Sequence, residues 1–341
     1  MSANLFNNRF YSLRQPAWHG LGMVSEEPLG AVEAFSRITP YDIELRDLFV
    51  QKMQGNNKAR YSKVSSRAIV RTPVPDDPEE RVLGIVGPEY QLVTPLQVCE
   101  TYDYSVTQPV ETIGALGFGE TLFLTTKLPE IDIKGDPVET YMLVVSPYTG
   151  WSAIQIRITP VRVVCQNTLI AAKRSSSEVY RVVHDSTAQE RLKSWMTGLY
   201  ERSVQKVDTL KQAFEMFASF MPNSVQVGQM VTEIYPDPKP PREDAPEEIV
   251  QRRMIDYEYY VRATERSREA VLELFHGKGT GMDHPAADGT GWGFYNAVVE
   301  WEDYRPTGKD ESTRLINSLF GDRASVKERA YSVVENYAKY S

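Results

Sequence analysis

The chain predicts an α+β protein: a mainly antiparallel, β-rich N-terminal domain over residues 1–185 with a helix crossing its sheet, then a helical portion over 186–341 packed on it. Three observations carry this reading. Between Tyr61 and Arg181 the apolar residues come in short β-branched or aromatic runs, several punctuated by Gly or Pro. After His184 they recur at intervals of three and four, the helical period. Tyr235 to Glu248, YPDPKPPREDAPEE, sets five prolines among charges of both signs, which neither a helix nor a core accommodates, so it reads as a linker or solvent loop.

In chain order, Gln51 to Arg71 reads as a hairpin turning at Gly55-Asn56-Asn57. RAIVRT, RVLGIVG, TLFLTTKL, TYMLVVSPY, SAIQIRI and VRVVC read as strands. Thr94 to Tyr104 interrupts them as a helix, with Thr94 as N-cap, Pro95 in the first helical position, and Leu96, Cys99 and Tyr102 on the face to be buried. Asn167 and Thr168 read as the cap of a helix starting at Leu169. Thr187 to Met221 carries Leu192, Trp195, Met196, Leu199, Val207, Leu210, Phe214 and Phe217 on one broad stripe. Glu247 to Phe275 resumes helix, and Gly277 to Gly293 is a glycine-rich loop. The helix that follows, through Trp301, places Trp292, Tyr295 and Val299 on one face. Ser325 to Tyr340 closes the chain with Val326, Ala330, Val333 and Tyr337 on one side.

With 341 residues, 41% hydrophobic and 11% aromatic, the chain can fill a core of one large domain or two ordinary ones. The formal charge of -8 speaks against a uniformly basic coat but allows a local positive groove. Two cysteines, Cys99 and Cys165, lie among apolar neighbours, which points to a reducing cytoplasm. No export signal is read at the start, and no apolar run has the length of about 18 residues that a membrane span needs.

The charge is unevenly distributed. Gln51 to Arg71 holds six basic residues, Lys52, Lys58, Arg60, Lys63, Arg67 and Arg71, and no acidic one. In a hairpin, alternate side chains share a face, so Lys63, Arg67 and Arg71 would line one side with Tyr61 beside them. A line of cations suits a phosphate backbone, and an aromatic ring supplies base stacking that ignores sequence. Trp151 to Arg181 is the second basic stretch, with Arg157, Arg162, Lys173, Arg174 and Arg181 against Glu178 alone. Lys52, Lys58, Arg60, Tyr61, Lys63, Arg67, Arg71, Arg157, Arg162, Lys173 and Arg174 are therefore the candidate nucleic-acid-binding residues, and single-stranded DNA the candidate partner.

Other constellations point elsewhere. Cys165 could be a nucleophile with His184 or His19 as base, but it follows Val163-Val164 and reads as an inert buried thiol. His276, Asp283, His284 and Asp288 crowd the glycine-rich loop, with Glu300 and Asp303 following. Asp283, His284 and Asp288 could hold a divalent ion in a nuclease, yet no compact ligand motif is present and such residues belong in turns. Gly114, Gly117 and Gly119 lack the Lys-Ser/Thr ending of a phosphate loop. No residue pattern requires catalysis, a metal or a cofactor.

Four blocks, WHGLG (Trp18 to Gly22), LGIVGPEY (Leu83 to Tyr90), RITPVRVVCQNTL (Arg157 to Leu169) and GTGWGFYNAVVEW (Gly289 to Trp301), resemble in content and order the phage/plasmid-like protein family, proteins of unknown function found in bacteriophages, plasmids and prophages. The resemblance implies a phage or plasmid origin and a structural role for the Cys165 block, but no mechanism. The order of hairpins, helix and basic strands also has a loose likeness to phage single-strand annealing proteins, which assemble into rings or filaments. The expected function is thus a non-enzymatic, cytoplasmic, homo-oligomeric protein that binds single strands in recombination or replication. A structural or regulatory phage protein that binds a protein partner is the alternative.

Overall fold

The computed structural model describes residues 5–14, 22–54, 58–162, 167–168, 180–241, 247–304 and 322–341. The fold is α+β. Strands β1 (Leu5–Leu13), β2 (Met23–Ser25), β6 (Thr112–Leu116), β7 (Thr121–Ile133), β8 (Asp136–Pro147), β9 (Ile154–Arg162), β10 (Asn167–Thr168) and β11 (Tyr180–Val182) form one sheet in the order β10-β9-β8-β7-β6-β1-β2, with β11 also paired to β9. Every pairing in it is antiparallel except that of β1 with β2. Strands β3 (Ile43–Gln54), β4 (Lys58–Arg71) and β5 (Arg81–Val86) make a separate three-stranded sheet.

SAIQIRI and VRVVC are not two strands; Ile154 to Arg162 form the single strand β9, with Pro160 opposite Thr140 of β8. Asn167 and Thr168 do not cap a helix either, but pair as β10 with Arg162 and Val161. Cys165 lies outside the described residues. Gly114 is a strand residue of β6, where a Cβ would stand 2.7 Å from Phe123 Cζ, so the bare backbone lets that ring close on the strand.

Helices α1 (Ala31–Arg37) and α2 (Pro95–Ser105) pack together. Thr94 Oγ1 accepts from Gln97 N, Thr94 N donates to Gln97 Oε1, and Pro95 opens the helix, so α2 starts where its cap residues dictate. Its buried face is Val98, Cys99 and Tyr102, not Leu96, which is 44% exposed. Asp103 of α2 in turn caps α1, its carboxylate accepting from Ala31 N at 2.6 Å and Val32 N at 2.9 Å.

The stretch Thr187 to Met221 divides into α3 (Ala188–Met196) and α4 (Leu199–Phe217), broken at Gly198, whose φ of 66° is left-handed. Then follow α5 (Ser224–Ile234), α6 (Glu247–Glu273) with a π turn over Leu274–Lys278, α7 (Gly291–Tyr304) and α8 (Asp322–Lys339). Phe214, Phe217, Trp292, Tyr295 and Tyr331 interlock in tilted and edge-on pairs where α4, α7 and α8 meet. The helices close onto the β7–β8 turn: Lys134 Nζ donates to Ala218 O at 2.8 Å, and Trp292 Nε1 donates to Asp136 Oδ2 at 2.8 Å. One hydrophobic core runs from Phe6 and Tyr11 in β1 to Val334 in α8.

Candidate nucleic-acid interface

β3 and β4 pair from Ile43↔Arg71 out to Gln54↔Lys58, with an irregularity between Asp47 and Phe49. There β3 advances two residues while β4 advances four, from Arg67 to Lys63, so the alternation of faces is kept. Beyond that bulge the hairpin leaves the body. Every residue from Phe49 to Met53 and from Ala59 to Lys63 is exposed, on both faces. A two-stranded ribbon with neither face covered is marginal by itself. This arm extends roughly 20 Å at ~3.3 Å per residue.

Residues directly opposite each other share a face. One face of the arm carries Phe49 opposite Lys63, Gln51 opposite Tyr61, and Met53 opposite Ala59. Phe49 is 56% and Tyr61 63% exposed. The other face carries Val50 opposite Ser62 and Lys52 opposite Arg60. Lys52 and Arg60 form no ion pair among the described residues. Two cations placed directly across a ladder repel each other, and among the described residues no acid pairs with either to relieve the repulsion.

The predicted line Lys63, Arg67, Arg71 is not a line of free cations. Lys63 Nζ pairs with Asp47 Oδ2 at 2.6 Å, both ends open to water. Arg67 donates to the carbonyls of Pro88 and Tyr90, fastening the loop after β5. Arg71 is fully buried; it binds Asp77 Oδ2 and donates to Glu79 O at 3.0 Å and Thr72 O at 2.9 Å. Burial lowers its pKa, and Asp77 opposes that shift. Beside it Arg9, 1% exposed, makes a two-pronged bond to Asp76, and both guanidiniums lie over the Phe6 ring. The hairpin's root is thus built into the core while Phe49 to Met53 and Ala59 to Lys63 are in water. Strand alternation predicts a shared face but not that burial changes along it.

Lys58 begins β4 opposite Gln54, and the predicted turn at Gly55-Asn56-Asn57 lies outside the described residues. Arg157 lies on β9 in the other sheet, half-buried, donating to Gln155 Oε1 at 3.3 Å. Burial depresses its pKa, with Glu328 of α8 countering. It belongs to the sheet that does not contain the arm. Arg162 pairs in register with Val138 and Asn167, and Lys173 and Arg174 lie outside the described residues. The two basic stretches are therefore on different sheets, and no described hydrogen bond or ion pair joins them.

The remaining chemical groups are structural in their surroundings. Burial raises the Cys99 thiol well above its ordinary range, which keeps it protonated. His184 stacks on Tyr90 at 4.7 Å with its Nδ1 3.2 Å from Gln91 O, and burial pulls its pKa down. Asp283, His284 and Asp288 are not gathered: His284 Nδ1 accepts from Ala286 N, and Glu300 is held by Thr280. No group of three or more such residues could hold a metal among the described residues. No described helix is long and apolar enough to cross a membrane.

The sequence did not single out Phe49, whose place beside Lys63 depends on the register of β3 against β4, or the Lys52/Arg60 opposition, which the symmetric count around Gly55-Asn57 could have shown. Neither the curated proteins nor the solved structures contain a match to this chain. A family description does match, over residues 82–320, which is most of the chain and runs from β5 past α7: the protein belongs to the family described as a domain of unknown function, DUF932.

Proposed function

We propose that this protein is a non-enzymatic phage or plasmid protein that holds single-stranded nucleic acid through the β3–β4 arm during recombination or replication in the host cytoplasm. The observation that carries the reading is the opposition of Lys52 and Arg60 on an arm that packs against nothing else in the described chain. A phosphate between them turns a repulsive pair into two attractive contacts. On the reverse face Phe49 and Tyr61 offer ring surface on which unpaired bases can stack. The phage or plasmid setting rests on the four sequence blocks, and assembly of several copies on the loose likeness to annealing proteins.

The test is a salt titration of affinity for oligo(dT). The slope of log affinity against log salt should be steep, and the Lys52→Ala, Arg60→Ala double variant should flatten it by about 1.4, since each lost contact on a single strand removes ~0.7. Affinity indifferent to salt, or none at low salt, removes the reading. In that case a protein partner with an acidic surface becomes the better one, because Phe49, Val50 and Met53 expose more apolar surface than a free arm needs.

A further inference from the structure

The face of the three-stranded sheet that bears Tyr61 continues down β4 to its root, where another aromatic side chain stands. Arg67 is in register with Val86 of β5 and Ile69 with Gly84, and these residues share the face of Tyr61 and Lys63. The β8–β9 connection lies on that face at its base. A Cβ on Gly84 would stand 2.2 Å from Thr149 O, and one on Gly150 would stand 2.7 Å from Val86 Cγ1 and 3.9 Å from Ile69 Cδ1. Gly150 has φ +80°, so the backbone turns there in a conformation that glycine tolerates best. The connection is thereby pressed onto the sheet, and the next residue, Trp151, is carried out into water with 89% of its surface exposed.

A tryptophan is the largest ring a protein can offer, and leaving one almost wholly in water on an anchored turn forfeits its burial. We infer that Trp151 is a second base-stacking platform, at the root of the same face that carries Phe49, Lys63 and Tyr61 on the arm, so that one single strand lies along this face from Tyr61, past the Phe49–Lys63 pair, to Trp151. The inference rests on the reading of the arm as a nucleic-acid interface and adds its direction and reach: roughly 20 Å from Tyr61 to the root. Phosphates are the occupant that the charge favours, because Lys52, Arg60 and Lys63 stand on the arm against the single acid Asp47 at its root, which pairs with Lys63. A duplex cannot use such a track, since its bases are already stacked on one another, so binding should discriminate between the two forms.

Tryptophan emission tests this directly. Trp151 is the most exposed of the described tryptophans, so saturating oligo(dT) at low salt should quench the emission of the intact protein, and most of that quench should vanish in Trp151→Phe. Trp151→Leu should weaken affinity about tenfold, the scale of one lost base stack, while leaving the salt slope of the intact protein unchanged. Trp151→Phe, which keeps a ring, should bind nearly as well as the intact protein. If oligo(dT) binds with a steep salt slope but Trp151→Leu binds as tightly and the quench survives in Trp151→Phe, the platform is wrong and the arm reading stands. If the intact protein does not bind at all, both fall.

Discussion

Trp292 donates its indole N–H to Asp136 across 2.8 Å, and neither side chain reaches solvent. Trp292 opens the α7 helix and Asp136 begins β8, so the bond ties the helical half of the chain to the main sheet at the β7–β8 turn. Trp292→Phe keeps most of the ring volume but leaves Asp136 Oδ2 without this donor. The expected cost is about 1–3 kcal/mol, the penalty for stranding a buried polar group. Urea unfolding measures it; a midpoint equal to that of the intact protein would show that the bond contributes nothing.

The two classes of arginine and lysine in β4 should separate on mutation. Arg71→Met removes the buried partner of Asp77 and leaves it only the longer contact to Arg81 at 3.5 Å, for an expected loss of up to about 3–5 kcal/mol. Lys63→Ala breaks a pair whose ends are 58% and 45% exposed, for less than about 1 kcal/mol. Thermal melts of the two variants check this ordering. Equal losses would mean that the root of the hairpin is not part of the core.

Replacing Lys52 by Glu gives Arg60 an opposite charge across the ladder. The arm should become locally more stable, by about 0.2–1 kcal/mol, while its affinity for oligo(dT) falls. Slower amide exchange over 49–53 and 59–63 together with weaker binding is the expected pair of results. Faster exchange in Lys52→Glu would contradict the cross-strand register.

His184 makes stability depend on pH. Burial holds its folded pKa below the ordinary value near 6.5, so as pH falls through about 6.5 the unfolded chain takes up the proton first and stability is lost. Above that value the ring is neutral in both states and has no effect. Unfolding midpoints of the intact protein and of His184→Gln, compared between pH 8 and pH 5.5, should differ in slope only in the acidic part of that range. Parallel curves there would place His184 in water.

Much of this protein was legible in its sequence because the governing physics is local. A capping Thr94 with Pro95 behind it, the period of three and four after His184, and the six-to-zero excess of cations in Gln51 to Arg71 act over a few residues, and each appears in the fold as an element at that place. Strands β1, β2 and β6 were not legible. β1, LFNNRFYSL, has no clean alternation along the chain: it is placed by pairing with β6, about a hundred residues on, and its Arg9 is buried against Asp76, 67 residues away. The site divides in the same way. Charge and hairpin could be read along the chain, but whether a given cation faces water or Asp77 depends on where the ribbon leaves the body. That point is set by the bulge at Asp47 and by the packing of the β8–β9 connection against β5, both of them contacts between segments distant in sequence.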